Sequence, residues 1–251
     1  MEGSVELNIN NNIGTIEFYH PQSNSLPSNI LEKLAKTIEE CGNNDNISVI
    51  ILKSKGDRVF CAGASFDELS SISNFIEGKS FFMGFANVIN ACRKCPKLII
   101  CRVQGKAVGG GVGMACAGDY CFATKFSAIK LSELAVGIGP FVVGPAVERK
   151  SGLSAYSTLS INATKWFSAE WAQQKGIYSE VYESNDVMDE AINKLAHELV
   201  NSNPEATKKL KEVFWENANN WDELLEERAE YSGQLVLSEF TKQAIARFKK
   251  K

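Results

Sequence analysis

The stretch that decides the fold is Gly105-Lys-Ala-Val-Gly109-Gly-Gly-Val-Gly113-Met-Ala-Cys-Ala117. The apolar run Leu98–Val103 before it is typical of a buried strand, and the small residues at its end favour a helix. Glycines at such a junction let the backbone approach a ligand and leave bare amides at the helix N-terminus. Because those amides and the helix dipole favour negative charge, the stretch predicts a site for a phosphate or a developing oxyanion.

Strands and helices alternate around this stretch. Hydrophobic periodicity predicts strands at Val5–Ile9, Gly14–Phe18, Val49–Leu52 and Leu98–Val103 with a strand pair near Tyr120–Leu131, and helices from Pro27, near Asp67–Ile72 and near Phe81–Cys92. From Ser168 onward the pattern is mostly helical, and no Gly/Ser-rich linker precedes it. The alternation predicts an α/β layered fold in one continuous domain.

Charge and hydropathy exclude two classes of partner. The chain has 251 residues and a net charge of −3, so it lacks the basic footprint of a nucleic-acid-binding protein. It contains no apolar run of about 18 residues that could span a membrane, and its N-terminus has no signal-peptide pattern. We therefore expect a cytoplasmic protein with no nucleic-acid and no membrane partner. The alternative is a mature form from which a transit peptide has been removed.

The cysteines give no sign of a disulfide framework or a metal site. Their number, seven, is odd, and a chain of this size needs no disulfide to fold, so we expect reduced thiols. Cys92 and Cys95 form a C-x-x-C motif, but no second such motif and no nearby pair of histidines accompanies it. No metal ligand set is therefore predicted.

Two glycine-containing loops and one glutamate are candidates for chemistry. The loops Ala62-Gly63-Ala64 and Gly109-Gly110-Gly111 each follow an apolar strand and could aim backbone amides at one oxygen atom. Glu133 lies between an apolar strand and a loop that contains glycine and proline. It is either a satisfied structural acceptor or a desolvated acid/base, and composition alone favours the structural role. Asp119, at a predicted helix–strand turn, is interpreted as structural.

Five motifs in order resemble the crotonase family, the enoyl-CoA hydratase/isomerase superfamily, over nearly the whole chain. They are His20–Leu26, Phe60–Asp67, Gly105–Gly113, Ser132-Glu133, and Ser168–Gly176 followed by Val181. No single motif is specific. Their common order and spacing carry the resemblance.

The resemblance implies an α/β crotonase-like spiral of ββα units with a C-terminal helical region. Residues 1–165 would form the spiral core with an acyl-CoA site, and residues 166–251 a helical trimerisation region of the same continuous domain. The substrate would be an acyl-CoA thioester, with coenzyme A as part of the substrate and no separate cofactor or metal. The assembly would be a homotrimer or a homohexamer.

The resemblance also implies site residues. The backbone amides of Ala64 and Gly110 would bind the thioester oxygen and stabilise an enolate, and Glu133 would be the catalytic acid/base. The residues implied to contact the coenzyme A thioester are Asn24, Ser25, Leu26, Ala62, Ala64, Ser65, Phe66, Asp67, Gly110 and Gly113.

The chain departs from the family pattern at Gly113, where the two-carboxylate hydratases have their first glutamate. Because glycine has no side chain, we expect a gap one helical turn beyond Gly110. That gap would admit a bulkier acyl group, a water, or a carboxylate of the substrate. Phe141 and Val142 are expected to make the acyl end of the site apolar.

One glutamate restricts the chemistry. A double-bond shift needs a single base, whereas hydration would require Glu133 to act as both base and acid. We therefore expect an enoyl-CoA hydratase or isomerase, with a branched acyl group of the methylglutaconyl or methylcrotonyl type as one candidate. The alternatives are an acyl-CoA decarboxylase or thioesterase of the same family, and a non-catalytic acyl-CoA binder.

Overall fold

The computed structural model describes residues 3–249, in which parallel strands and helices alternate through much of the chain and four helices follow one another at the C-terminus. The strands are β1 (Ser4–Asn10), β2 (Ile13–Tyr19), β3 (Ser25–Leu26), β4 (Val49–Ser54), β5 (Val59–Cys61), β6 (Gly63–Ala64), β7 (Leu98–Val103), β8 (Lys106–Val108), β9 (Tyr120–Thr124), β10 (Ile129–Lys130) and β11 (Glu180–Tyr182). The helices are α1 (Ser28–Gly42), α2 (Phe66–Ser71), α3 (Phe75–Lys94), α4 (Gly110–Ala117), α5 (Gly144–Ile161), α6 (Ala169–Gln174), α7 (Asn185–Val200), α8 (Pro204–Phe214), α9 (Trp221–Leu235) and α10 (Glu239–Lys249). The predicted α/β fold is confirmed.

A six-stranded sheet in the order β1-β2-β4-β7-β9-β11 forms the central layer. Only β1 and β2 pair antiparallel, and the other neighbours run parallel. Helices α1 and α3 bury their apolar faces on one side of the sheet, whereas Met188, Ile192 and Ala196 of α7 pack on the other. Because both faces are covered, the run Val49–Leu52 is buried at every position, as the sequence predicts.

Two of the predicted elements need correction. The expected strand pair near Tyr120–Leu131 is not a pair, because β9 belongs to the six-stranded sheet and β10 to a separate three-stranded sheet of order β10-β8-β5. The helix predicted near Phe81–Cys92 is longer, since Asn74 caps its N-terminus by accepting a hydrogen bond from the amide of Glu77.

The smaller sheets bring the two glycine-containing loops together. In the three-stranded sheet, β8 lies between β5 and β10 and leads through Gly109 into α4. In a two-stranded sheet, β6 pairs parallel with β3, so the chain around Ala64 is fixed by a strand on its outer side. Both loops follow strands that end at the same edge, which places them side by side.

The C-terminal region is not purely helical. The strand β11 extends the six-stranded sheet, and Phe167 exchanges two backbone hydrogen bonds of 2.9 and 3.0 Å with Ile129. Helix α9 packs along α3, and α10 packs on the 3-10 turn Glu133–Val136. Within residues 3–249, no helix has the combined length and apolarity that crossing a bilayer requires.

Asp119 is a structural residue, as predicted. Its side chain is 4% exposed and forms an ion pair of 2.7 Å with Lys211 of α8. It also accepts hydrogen bonds from the Trp215 indole N–H at 3.0 Å and from the Ile99 amide of β7 at 2.8 Å. Asp119 therefore joins the C-terminal helices to the central sheet.

The substitution Asp119→Ala should lower the free energy of unfolding by about 3–5 kcal/mol, because it leaves the ammonium of Lys211 buried and unpaired. Urea denaturation monitored by tryptophan fluorescence measures the loss. The double variant Asp119→Ala/Lys211→Met should recover part of it. A single variant whose stability lies within about 1 kcal/mol of the wild type would contradict this account.

Candidate active site

The glycine triplet is fixed by three close contacts, one at each glycine. Gly109 has φ of +53°, a conformation that L side chains rarely adopt. A Cβ atom on Gly109 would lie 2.8 Å from Oε1 of Glu133, and one on Gly111 would lie 2.5 Å from the carbonyl oxygen of Cys61. A Cβ atom on Gly110 would overlap the ring of Phe85. Each glycine is therefore needed for a different neighbour.

The amides of Ala64 and Gly110 lie on neighbouring segments of the chain. The amide of Gly110 stands in the first turn of α4, where helical amides have no intrahelical acceptor. The position of a Cβ on Gly63 is 3.8 Å from that nitrogen, so β6 runs directly beside the helix start. Ser65 donates to the carbonyl of Leu26 at 2.9 Å, which leaves the amide of Ala64 pointing away from β3.

A cavity of about 490 Å³ opens against these amides. Its wall is mostly apolar, and Lys130 and Glu133 are the two ionisable residues among those that line it. The lining residues are Ala62, Gly63, Ala64, Phe66, Leu69, Phe81, Phe82, Phe85, Val108, Gly109, Gly110, Lys130, Ser132, Glu133, Ala135, Val136, Ile138, Gly139, Pro140, Phe141, Val142, Val143, Ala163, Thr164 and Ser232. The volume and the apolar lining with few polar groups are typical of a small-molecule site.

Glu133 combines burial with an unsatisfied oxygen. It begins a 3-10 turn that lines the cavity, and its Oε2 atom is buried without a hydrogen-bond partner in the described structure. Burial raises the pKa of Glu133 to about 7, although backbone amides of Glu133 and Ser132 act in the opposite direction. A satisfied structural acceptor would not leave this oxygen unpaired, so the geometry favours the acid/base alternative.

The structure brings five of the predicted site residues into the cavity wall. They are Ala62, Ala64, Phe66, Gly110 and Glu133. Phe141 and Val142, expected at an apolar acyl end, also line the cavity.

The other predicted contact residues on the first loops support the wall from behind. Asn24 is 3% exposed, and its amide donates to the carbonyls of Lys55 and Val59 at 3.0 Å each. Ser25 donates to the carbonyl of Ala64 at 2.9 Å, which fixes β6 directly.

The remaining three of these residues do not line the cavity. Leu26 is fully buried, and Ser65 caps α2 by accepting from the amide of Glu68. Asp67 is exposed and accepts from the side chain of Gln22 at 3.1 Å.

The expected gap beside Gly113 is wrong. Gly113 is fully enclosed and does not line the cavity, because Val143 occupies the space where its side chain would project. A Cβ on Gly113 would lie 2.5 Å from Cγ1 and 2.7 Å from Cβ of Val143. Sequence spacing along α4 could not reveal this, since Val143 approaches from a distant loop.

Sequence reasoning missed three residues of this site. Phe85 packs on Gly110, Val143 fills the space beside Gly113, and Lys130 lines the cavity. For Lys130 a signal was present, because it stands between Ile129 and Leu131, which are both buried. Strand alternation puts a residue in that position on the opposite face.

Three known proteins are similar to this chain in sequence or in structure. A probable enoyl-CoA hydratase of Bacillus subtilis is 24% identical over 249 residues, which cover 99% of this chain and 96% of that protein. Human mitochondrial methylglutaconyl-CoA hydratase is 30% identical over 208 residues, which cover 81% of this chain and 58% of that protein. The crystal structure of an enoyl-CoA hydratase from Bacillus halodurans superposes with a TM-score of 0.90 at 21% identity and covers 97% of this chain and 99% of that chain. At that identity the superposition shows the shared fold.

The match at the level of the family extends over almost the whole chain. Residues 8–251 match the family described as enoyl-CoA hydratase/isomerase. This range includes both glycine-containing loops and Glu133. The chain therefore belongs to the enoyl-CoA hydratase/isomerase family of the crotonase superfamily.

Proposed function

We propose that the protein binds an acyl-CoA thioester and moves its double bond by way of an enolate, with Glu133 as the single acid/base. The observation that carries this proposal is the buried, unpaired Oε2 of Glu133 in an apolar cavity that also contains the amides of Ala64 and Gly110. A pKa of about 7 keeps the carboxyl group able to take and return a proton near neutral pH.

The amides of Ala64 and Gly110 stabilise the negative charge that develops in the reaction. When a proton leaves the carbon next to the thioester, negative charge develops on the thioester oxygen. Donors from Ala64 and Gly110, with the dipole of α4 behind the second, stabilise that charge. Loss of one such donor typically raises a barrier by about 3–4 kcal/mol.

The proton steps balance with one carboxylate. The ionised Glu133 takes a proton from C2 of a 3-enoyl thioester, and the electron pair of that C–H bond delocalises into a dienolate. The protonated Glu133 then gives the proton to C4, and the double bond forms between C2 and C3. No water enters the reaction, and the carboxylate returns to its initial state.

The contact between Val143 and Gly113 favours isomerisation over hydration. It fills the position one turn beyond Gly110 with an apolar side chain, so neither a second carboxylate nor a water it would hold has room there. Hydration is the second candidate because the relatives described above carry hydratase names. In that reaction Glu133 would both activate the water and protonate the carbon.

Oligomerisation is part of the proposal. Large apolar side chains on and near α5 are exposed in the single chain, including Leu153 at 64% and Ile161 at 72%. Such exposure supports burial between copies of the chain, as in a homotrimer or a homohexamer. Light scattering coupled to gel filtration measures the mass and separates these states from a monomer.

Incubation with straight and branched 2-enoyl- and 3-enoyl-CoAs in deuterated water tests the proposed reaction. Mass spectrometry should show products of unchanged atomic composition with a moved double bond, and deuterium enters them to the extent that the protonated Glu133 exchanges with solvent before it returns the proton. Addition of one D₂O would indicate hydration instead. Release of CO₂ or of free coenzyme A from malonyl-type or β-keto thioesters would indicate decarboxylation or hydrolysis and would overturn the proposal.

The substitution Glu133→Gln should lower kcat for the double-bond shift by about 10²–10⁴-fold, because the amide cannot take a proton. In the wild type, kcat/KM should rise with pH through about 7 and then level, since the reaction begins with the ionised carboxylate. Initial rates from pH 5.5 to 9 check both statements. Unchanged turnover in the variant would rule out Glu133 as the acid/base.

The same substitution should make stability less dependent on pH. The pKa of Glu133 is raised from 4.5 to about 7 in the folded protein, so the folded state holds the proton more tightly than the unfolded state. The wild type therefore loses about 3 kcal/mol of stability as pH rises from about 4.5 to 7, and the Gln variant lacks this loss. Thermal unfolding at pH 5 and pH 8 measures this. The same difference in Tm between the Gln variant and the wild type at both pH values would contradict this prediction.

A further inference from the structure

Lys130 is a cation in the cavity wall without an anionic partner. Among residues 3–249, it forms no ion pair, and its ammonium donates no hydrogen bond. Its contact is instead with the aromatic face of Trp166, at 4.5 Å from Nζ to the ring centroid. Lys106 places its own ammonium 5.0 Å from the centroid of the same ring. Two positive charges therefore lie at one indole, and neither forms an ion pair with a described carboxylate.

The backbone fixes Lys130 beside the oxyanion loop. Gly109 donates its amide to the carbonyl of Lys130 at 2.9 Å, and Lys130 pairs with Val108 in the parallel ladder of β8 and β10. On the other side, Phe167 is bonded to Ile129 in both directions, which sets Trp166 opposite Lys130. The Lys130 backbone thus lies one strand spacing, ~4.8 Å, from the chain that enters Gly110.

The surroundings of Lys130 are arranged to favour an anion. Burial lowers the pKa of Lys130, and the charge of Lys106 lowers it further, so an added negative charge would relieve both costs. Ser132 and Thr164 line the same cavity and bring hydroxyl groups able to donate hydrogen bonds. The remainder of the wall is chiefly apolar.

We propose that Lys130 binds a carboxylate at the far end of the acyl group, so that the preferred ligands are CoA thioesters of short dicarboxylic acids. The inference rests on the proposed function, because that function puts the thioester oxygen at the amides of Ala64 and Gly110. A lysine rooted one strand away reaches only a short acyl chain from there. The phosphates of coenzyme A fit less well, since the pantetheine arm separates them from the thioester.

Two saturated five-carbon thioesters isolate the carboxylate. Glutaryl-CoA and valeryl-CoA differ at the end of the acyl chain, and neither has a double bond to shift. Calorimetry should show that the wild type binds glutaryl-CoA more tightly. Lys130→Met should raise the Kd of glutaryl-CoA by about tenfold or more and leave the Kd of valeryl-CoA within about twofold. The substitution removes the charge and keeps the apolar contact with Trp166.

Two further variants serve as controls. Lys130→Arg keeps the charge and should keep most of the preference for glutaryl-CoA. Lys106→Met removes the other lysine at Trp166. Lys106 does not line the cavity, so the ratio of the two Kd values should stay within about twofold of the wild-type ratio.

Three outcomes would overturn the inference. The first is equal affinity of the wild type for the two thioesters. The second is an equal loss of affinity for both thioesters in Lys130→Met. The third is a matching loss of affinity for free coenzyme A, which would indicate that the lysine binds a phosphate. The wild-type comparison needs no substitution, so a variant that fails to fold does not remove the test. Because neither ligand contains a double bond, a preference for glutaryl-CoA stands or falls separately from the turnover of enoyl-CoAs.

Discussion

Close approach of three neighbouring groups to the backbone of Gly109–Gly111 is the constraint on which the site depends. Glu133 reaches the first glycine, the ring of Phe85 lies against the second, and the backbone of Cys61 lies against the third. These neighbours come from a 3-10 turn, a long helix and a strand of a separate sheet. Because all three are positioned against one short run of backbone, that run relates their positions to one another.

The turn that carries the carboxylate is held from its far side by the C-terminal helix. Thr241 is fully buried and donates to the carbonyl of Gly137 at 3.1 Å, and the amide of Ile138 closes the turn on the carbonyl of Glu133 at 3.0 Å. An unsatisfied buried oxygen costs stability and would draw a flexible turn toward water. The α10 contact opposes that movement and so helps to keep the turn in place against the cavity.

Local pattern in the sequence predicts the main strands and the glycine junction, because strand alternation and glycine conformation act over a few positions. It does not predict which sheet β9 and β10 join, since sheet membership depends on distant parts of the chain. The same logic predicts the structural role of Asp119, which its ion pair and hydrogen bonds confirm. For Glu133, composition favours a satisfied acceptor, and the buried oxygen without a partner differs from that expectation. Local pattern failed at Gly113, because the neighbour that decides the use of that space is Val143, about thirty positions away in the chain. Whether an absent side chain leaves a void is a property of packing, and no spacing rule encodes it.

The proposed roles of Lys130 and Glu133 require that the two side chains form no ion pair with each other. An ion pair between Lys130 and Glu133 would lower the pKa of Glu133 and hold the carboxyl group ionised, which would end its capacity to return a proton near neutral pH. Among the described side chains the two form no such pair, and the ring of Trp166 supplies Lys130 with a contact of its own. By retaining the ammonium without neutralising it, Trp166 preserves both a carboxylate that can be protonated and a cation that is free to meet a ligand.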